Sequence, residues 1–278
     1  ILIGLVGSEM CIRDRCYGKK KAWRRCRCIM RSAAQKNSEG QGMLMNSFGA
    51  TDKGKVRSEN QDSYIVERCD KRKCVVAVIC DGMGGAKAGD LASQLSSKAF
   101  VSRVFEALVA PRFFIGNQEK LLRESCDDAN GVVYEYSRFD PNYNGMGTTL
   151  VGGIITKRKA YLVNVGDSRA YYLTKGEIKQ ISKDHSYVEE LVAMGAITKE
   201  EARTHPKKNI ITKALGVDSS VKADYYEQTL HVGDGILLCS DGLSNIVTDA
   251  EMLDAFRRFN TPERVCDYLL NLALDRGA

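Results

Sequence analysis

Three aspartates in this chain stand where the backbone itself would expose a carboxylate. Val75-Val76-Ala77-Val78-Ile79-Cys80 runs into Asp81-Gly82, and Ile236-Leu237-Leu238-Cys239-Ser240 runs into Asp241-Gly242. Each is a short apolar run stopped by a turn dipeptide, the pattern of a buried strand that ends on a carboxylate. The third, Asp167, lies in Gly166-Asp167-Ser168-Arg169 between the strand-like stretches 161–165 and 170–173, a spacing that predicts a β-hairpin with Asp167 in its turn. Carboxylates gathered on one rim repel each other unless cations sit between them, so the chemistry indicated is a metal site. Oxygen donors select hard cations, and magnesium among them keeps several waters and needs few protein ligands.

Asp81-Gly82-Met83-Gly84-Gly85 taken alone is only a glycine-rich turn. Its recurrence as Asp241-Gly242 after an equivalent strand shifts the balance, as does a third acidic element, Arg57-Ser58-Glu59-Asn60-Gln61-Asp62, just before Tyr64-Ile65-Val66. Glycine after a ligand aspartate lets the chain turn sharply and offer a backbone carbonyl to a cation. As more than a charged loop, this element gives Asp62 to help hold hydrated metal and Arg57, which either neutralises the carboxylates or offers the planar donor fork that suits a phosphate dianion.

The elements that must carry these residues mix strands and helices. Residues 86–110 and 117–139 each repeat apolar positions at helical intervals and should lay one face on a sheet. Residues 146–156 and 222–230 read as strands. Between the Asp167 turn and the strand at 222, residues 182–216 read as a helical insertion beside the rim, with Thr198-Lys199-Glu200-Glu201 in capping-box spacing. Thr248-Asp249-Ala250-Glu251 offers a second capping box, and Thr261-Pro262 a cap followed by proline at the first helical position, so two helices close the chain. One α+β domain is expected over 43–278, large enough to bury a core.

The net charge of +6 is confined to the N-terminal stretch: residues 1–42 hold ten Lys/Arg against three Asp/Glu, and residues 43–278 hold 31 against 32. A nucleic-acid partner is therefore not indicated. Ile1-Leu2-Ile3-Gly4-Leu5-Val6-Gly7 is too short to span a bilayer and lacks the preceding basic residues of a signal peptide, so no membrane insertion is expected. The tail as a whole reads as a disordered or non-native extension, and residues 8–15 resemble translated adaptor sequence, which would put the true start at Met43 or Met45. Cys69, Cys74, Cys80, Cys126, Cys239 and Cys266 form no CxxC pair, and the reading that fits them is a reducing, cytoplasmic setting.

In order along the chain, Arg57 to Asp62, Asp81 to Gly85, Gly147-Thr148-Thr149, Gly166 to Arg169 and Ser240-Asp241-Gly242 resemble the metal-dependent PPM (type 2C) serine/threonine phosphatases over about 46–276. Lys183-Asp184-His185-Ser186 makes the likeness closest to the compact bacterial members. The resemblance implies two stacked antiparallel sheets flanked by helix pairs, and a centre of two manganese or magnesium ions at one end of the sandwich. It implies further that Asp81 bridges both ions, that the Gly82 carbonyl ligates one, that Asp241 serves the other, that Asp62 orders metal-bound water and that Arg57 binds the phosphate. Asp167 would serve a third, weaker ion, and residues 182–216 would be the flap near the substrate. The implied partners are phosphoserine and phosphothreonine proteins, a cognate bacterial serine/threonine kinase among them, and the implied state is a monomer.

Two departures from the family pattern stand out. Met83 occupies the position of a histidine in eukaryotic members and cannot donate a proton. The family also continues past Arg276-Gly277-Ala278 into a turn, an Asp-Asn pair and a last strand, so weaker metal binding and an unpaired strand edge are expected in this chain. That favours, as the alternative function, a catalytically weak phosphoprotein-binding module. Other hydrolase readings fare worse. Gly84-Gly85-Ala86-Lys87-Ala88-Gly89 lacks the Gly-Lys-Ser/Thr ending of a nucleotide loop, and His185, His205 and His231 have neither esterase nor zinc-ligand spacing and read as surface or structural.

Overall fold

The computed structural model describes residues 2–7, 45–110 and 117–278. In chain order the strands are β1 (Leu2–Gly7), β2 (Asn46–Thr51), β3 (Asp62–Cys69), β4 (Cys74–Met83), β5 (Gly147–Thr148), β6 (Leu150–Thr156), β7 (Lys159–Val165), β8 (Arg169–Leu173), β9 (Ile178–Gln180), β10 (Asp224–Thr229) and β11 (Gly235–Cys239). The helices are α1 (Ala86–Val109), α2 (Gln118–Phe139), α3 (Tyr187–Ala193), α4 (Lys199–Thr204), α5 (Asp241–Ser244), α6 (Asp249–Arg258) and α7 (Pro262–Asp275), with a short 3-10 turn at Pro141–Tyr143. One sheet has the order β2-β1-β11-β8-β9, the other β10-β7-β6-β4-β3 with β5 on the end of β4. Every ladder is antiparallel.

The two sheets stack, and the period-2 alternation of strand side chains decides what lies between them. On β4, Val75, Ala77 and Ile79 meet Ala170, Ile236 and Leu238 of the facing sheet, while Val76, Val78 and Cys80 point the other way into α1 and α2. Both faces of β4 are therefore covered, which is why its sequence is apolar without alternation. Each such side chain contributes about 1.5–3 kcal/mol on burial. The outer face of the first sheet, through Tyr171, Leu173, Leu237 and Cys239, is covered by α6 and α7. This is the two-sheet, helix-flanked α+β sandwich that the sequence implied.

Helix ends are anchored as the sequence indicated, and in one further way. Thr198 and Thr248 complete reciprocal capping boxes, and Thr261 caps α7 ahead of Pro262. The carbonyls closing α1 are met by the basic β3–β4 turn: Lys71 Nζ donates to Val109 O at 2.6 Å and Arg72 Nε to Leu108 O at 2.7 Å. Cations at a helix C-terminus satisfy orphan carbonyls and the dipole together.

Two expectations are corrected. The stretches around Asp167 are not a hairpin, because β7 pairs with β6 and β10 in one sheet while β8 pairs with β11 and β9 in the other. Gly166, at φ +104°, turns the chain from one sheet to the other. A three-residue link between two buried strands looks the same in sequence whether it folds back or crosses over. The strand carrying Asp241 is also not left with an unpaired edge: β11 pairs with β8 and with β1, and β1 pairs in turn with β2, so Leu2–Gly7 is a strand where an unstructured tail was expected. The adaptor-like residues 8–15, and the rest of the tail to residue 44, lie outside the described residues.

Candidate metal centre

The site lies at one rim of the sandwich, where both sheets and the crossing between them end. Asp62 and Asp81 are directly opposite each other in the β3–β4 register. Asp241 follows β11 and opens the one-turn helix α5, and Asp167 follows the crossing at Gly166. Arg57, Asp62, Asp81 and Asp241 line one cavity of about 140 Å³, and Asp167 joins Asp241 in an adjoining groove of about 680 Å³. Residues nearly 180 positions apart are thus brought together.

Backbone and hydroxyl contacts hold these carboxylates in place. Asp81 N–H donates to Thr149 Oγ1 at 3.0 Å, and its carbonyl accepts from Thr149 N and from Thr148 Oγ1, both at 2.9 Å. Thr149 Oγ1 is 2.7 Å from Ser168 Oγ, which links the Asp81 strand end to the Asp167 turn. Ser240 Oγ donates to Asp62 Oδ2 at 3.0 Å across the two sheets, and Asn60 Oδ1 accepts from the Asp62 backbone N–H at 3.0 Å. Asn245 Nδ2 donates to Asp241 Oδ2 at 3.1 Å. At Gly82 a Cβ would collide with the Gly89 carbonyl, so only glycine lets α1 approach this close. Thr148, Thr149, Ser168 and Ser240 were legible only as members of motifs; their placing roles depend on long-range contacts that no local pattern encodes.

The electrostatics are those of a cluster short of positive charge. The Asp81 carboxyl is pushed well above the ordinary range, first by burial and then by Asp62, Asp241 and Asp167, with Arg57 opposing. Asp167 is pushed up to about 7 by burial and by Asp241 and Asp184. Repulsion of this kind is relieved by a cation. The donors facing the cavity are oxygens, with no histidine or cysteine among its lining residues, which matches manganese or magnesium rather than zinc. Among the described residues no three acidic, histidine or cysteine side chains close into a complete cage.

Arg57 stands exposed on the cavity wall, with Nη1 donating at 2.5 Å to the neutral Gln61 amide, so its charge remains available to an anion. Met83 faces a different groove with Lys213 and Val217. His185, expected on the surface or in a structural place, is buried between the Asp167 turn and the start of the 182–216 excursion, while His205 and His231 take no part in the cavity.

The family model described as protein phosphatase 2C matches residues 53–271. The serine/threonine phosphatase stp of Listeria innocua is 36% identical over 234 residues, covering 84% of this chain and 91% of its own. Protein phosphatase PhpP of Streptococcus pneumoniae is 34% identical over 205 residues, covering 73% of this chain and 81% of its own. Among solved structures, serine/threonine phosphatase Stp1 from Staphylococcus aureus superposes with a TM-score of 0.75 at 38% identity, covering 86% of this chain and 94% of that one. The catalytic domain of the phosphatase PstP in complex with two manganese ions superposes at 0.70 with 34% identity, covering 81% and 90%. The relatives are phosphatases, and the alternative of a catalytically weak phosphoprotein-binding module finds no support among them. With matched motifs, matched fold and a carboxylate rim suited to divalent cations, the chain belongs to the protein phosphatase 2C family of serine/threonine phosphatases.

Proposed function

We propose that the chain hydrolyses phosphoserine and phosphothreonine in proteins at the rim described above, and that Asp81, Gly82 through its carbonyl, Asp62, Asp241 and Asp167 hold its divalent ions. The observation that carries this reading is the meeting of Arg57, Asp62, Asp81 and Asp241 in one small cavity. Two bound ions, manganese or magnesium, would supply an activated water and screen the phosphoryl charge, and Asp167 would hold a third, weaker ion. Arg57 binds and orients the phosphate dianion through its planar fork. Asp62, fixed by Ser240 and Asn60, orients the attacking water. Asp81 lines the cavity with both its peptide groups anchored, and fixes the positions against which the phosphate is aligned. Met83 has no proton to give, so the proton for the leaving oxygen comes from metal-bound water or from another group.

Phosphorylated proteins, a bacterial serine/threonine kinase among them, are the partners we assign. A cytoplasmic setting is supported by the free thiols of six buried cysteines, two of which, Cys69 and Cys74, oppose each other in register. No helix among the described residues is long and apolar enough to cross a membrane. The deciding experiment is hydrolysis of p-nitrophenyl phosphate and of a phosphothreonine peptide with manganese, compared with Asp81→Ala. Turnover that survives in Asp81→Ala, or in excess chelator, overturns the metal reading.

A further inference from the structure

Gly166 makes the crossing from β7 to β8, and its peptide groups are gripped from one side by a single residue. Its N–H donates to His185 Nδ1 at 3.1 Å and its carbonyl accepts from His185 N–H at 2.9 Å. Asn164 Nδ2 bonds both the Gly166 carbonyl, at 3.2 Å, and the Lys183 carbonyl, at 3.0 Å, which fastens the two segments side by side. Gly166 cannot be exchanged for a stiffer residue, because φ is +104° and a Cβ would run into the Thr149 side chain. The next residue is Asp167, so whatever fixes this peptide fixes the direction in which that carboxylate leaves the turn.

His185 is itself held from the far end of the 182–216 excursion. Its carbonyl accepts from Thr212 N–H at 2.8 Å, its Nε2 is 3.2 Å from Asp224 Oδ2, and Lys213 Nζ lies 3.1 Å from the same nitrogen and 3.5 Å from Asp224 Oδ1. An imidazole whose Nδ1 accepts an N–H carries its proton on Nε2, and Asp224 is placed to receive it. Residue 184, one step back, makes a bidentate pair with Arg169 at 2.7–3.0 Å, so the start of the excursion is pinned to β8 as well. The same few residues thus join the Asp167 turn, the opening of the excursion and its return.

We infer that His185 is a positioning residue for Asp167, acting through Nδ1 on the Gly166 peptide, and that it couples the placement of that carboxylate to the 182–216 excursion. This rests on the reading of Asp167 as a metal-holding residue. A buried histidine that only fills space would serve as well with any tautomer and would make no distinction between its two nitrogens. The inference requires Nδ1 to be the acceptor and gives the two ring nitrogens separate duties.

Substitution by the two amides separates those duties, since asparagine places its oxygen near the site of Nδ1 and glutamine reaches towards that of Nε2. The full chain carrying His185→Gln should need roughly 10-fold more manganese for half-maximal hydrolysis of p-nitrophenyl phosphate, the scale typical of losing an outer partner of a ligand. His185→Asn should retain most of the wild-type manganese response, although both variants lose the ring and fall in thermal midpoint alike. Equal manganese responses in the two variants overturn the inference. Asp167→Ala is run alongside. If Asp167→Ala leaves the manganese response unchanged, the assignment of Asp167 fails; if it shifts the response and His185→Gln does not, only the role of His185 fails. Nitrogen-15 NMR of the unsubstituted protein is independent of both folding of the variants and activity. It should show an unprotonated Nδ1 coupled to the Gly166 N–H, and a protonated Nδ1 overturns the inference.

Discussion

Ser240 and Asp62 are 178 positions apart, and the hydrogen bond between them spans the gap between the two sheets. A carboxylate with one oxygen anchored has a fixed second oxygen, which is what orienting a water requires. Removing the anchor leaves Asp62 in place but free to rotate, so the cost should fall on kcat and much less on folding. Ser240→Ala is expected to lower kcat about 10-fold, the usual scale for an outer partner, with a change in stability near 1 kcal/mol for the lost hydrogen bond. Steady-state kinetics beside a urea titration checks this, and an unchanged kcat would show that Asp62 is oriented by other contacts. At this scale the sequence was most informative about acidic residues, because Asp81 and Asp241 each end an apolar run, a signal local to a few positions. The hydroxyls that steady them carry no such signal: Thr149 meets Asp81 from 68 positions away and Ser168 from 19, distances over which no periodicity extends.

Among the elements, α6 and α7 are joined at their ends by one carboxylate. Glu251 Oε2 accepts from Thr248 N–H at 2.9 Å and Thr248 Oγ1 at 2.8 Å, and Arg276 at the end of α7 donates to both Glu251 oxygens at 2.5–2.9 Å. The capping box was readable from Thr248 and Glu251 three positions along the chain, while the arginine was not, since it arrives from the far end of another helix. Arg276, followed by the cap, holds the Glu251 carboxyl low, at about 2 against an ordinary 4.5. A carboxyl depressed on folding contributes stability that is present above the unfolded value and lost as pH falls through the folded one. Glu251→Gln should therefore cost about 1 kcal/mol at pH 7, discounted for its partial exposure, and the difference from the unsubstituted protein should shrink between pH 4.5 and 2. Denaturant titrations across that range measure it, and a difference constant with pH would mean that the charge contributes nothing. The sheet crossing at Gly166 illustrates the opposite limit of legibility. The strands on either side were correctly placed, but which sheet each joins is decided by packing partners elsewhere in the chain.

For the molecule as a whole, the rim carboxylates belong to different layers: Asp62 and Asp81 to one sheet, Asp241 to the end of the other, and Asp167 to the crossing between them. Folding buries them and brings them together against their mutual repulsion, and burial first and repulsion second make Asp81 and Asp167 bind protons more tightly than free carboxyls do. A divalent ion binding there links the layers and is favoured only in the folded state, so it must stabilise the whole sandwich rather than one loop. At a manganese concentration 100 times its dissociation constant the gain is about 2.7 kcal/mol, and chelator should remove it fully. Because β4 and β11 lie on opposite sheets, tyrosine fluorescence and far-ultraviolet dichroism should report the same shift in midpoint. Asp81→Asn separates the two contributions: it removes the proposed anionic ligand and also one of the repelling charges. That variant should lose the manganese-dependent gain and yet, in chelator at neutral pH, unfold at a temperature equal to or above that of the unsubstituted protein. An Asp81→Asn protein that is less stable than its parent in chelator and still stabilised by manganese would show that the carboxylates are held apart by the fold and that the ion binds elsewhere.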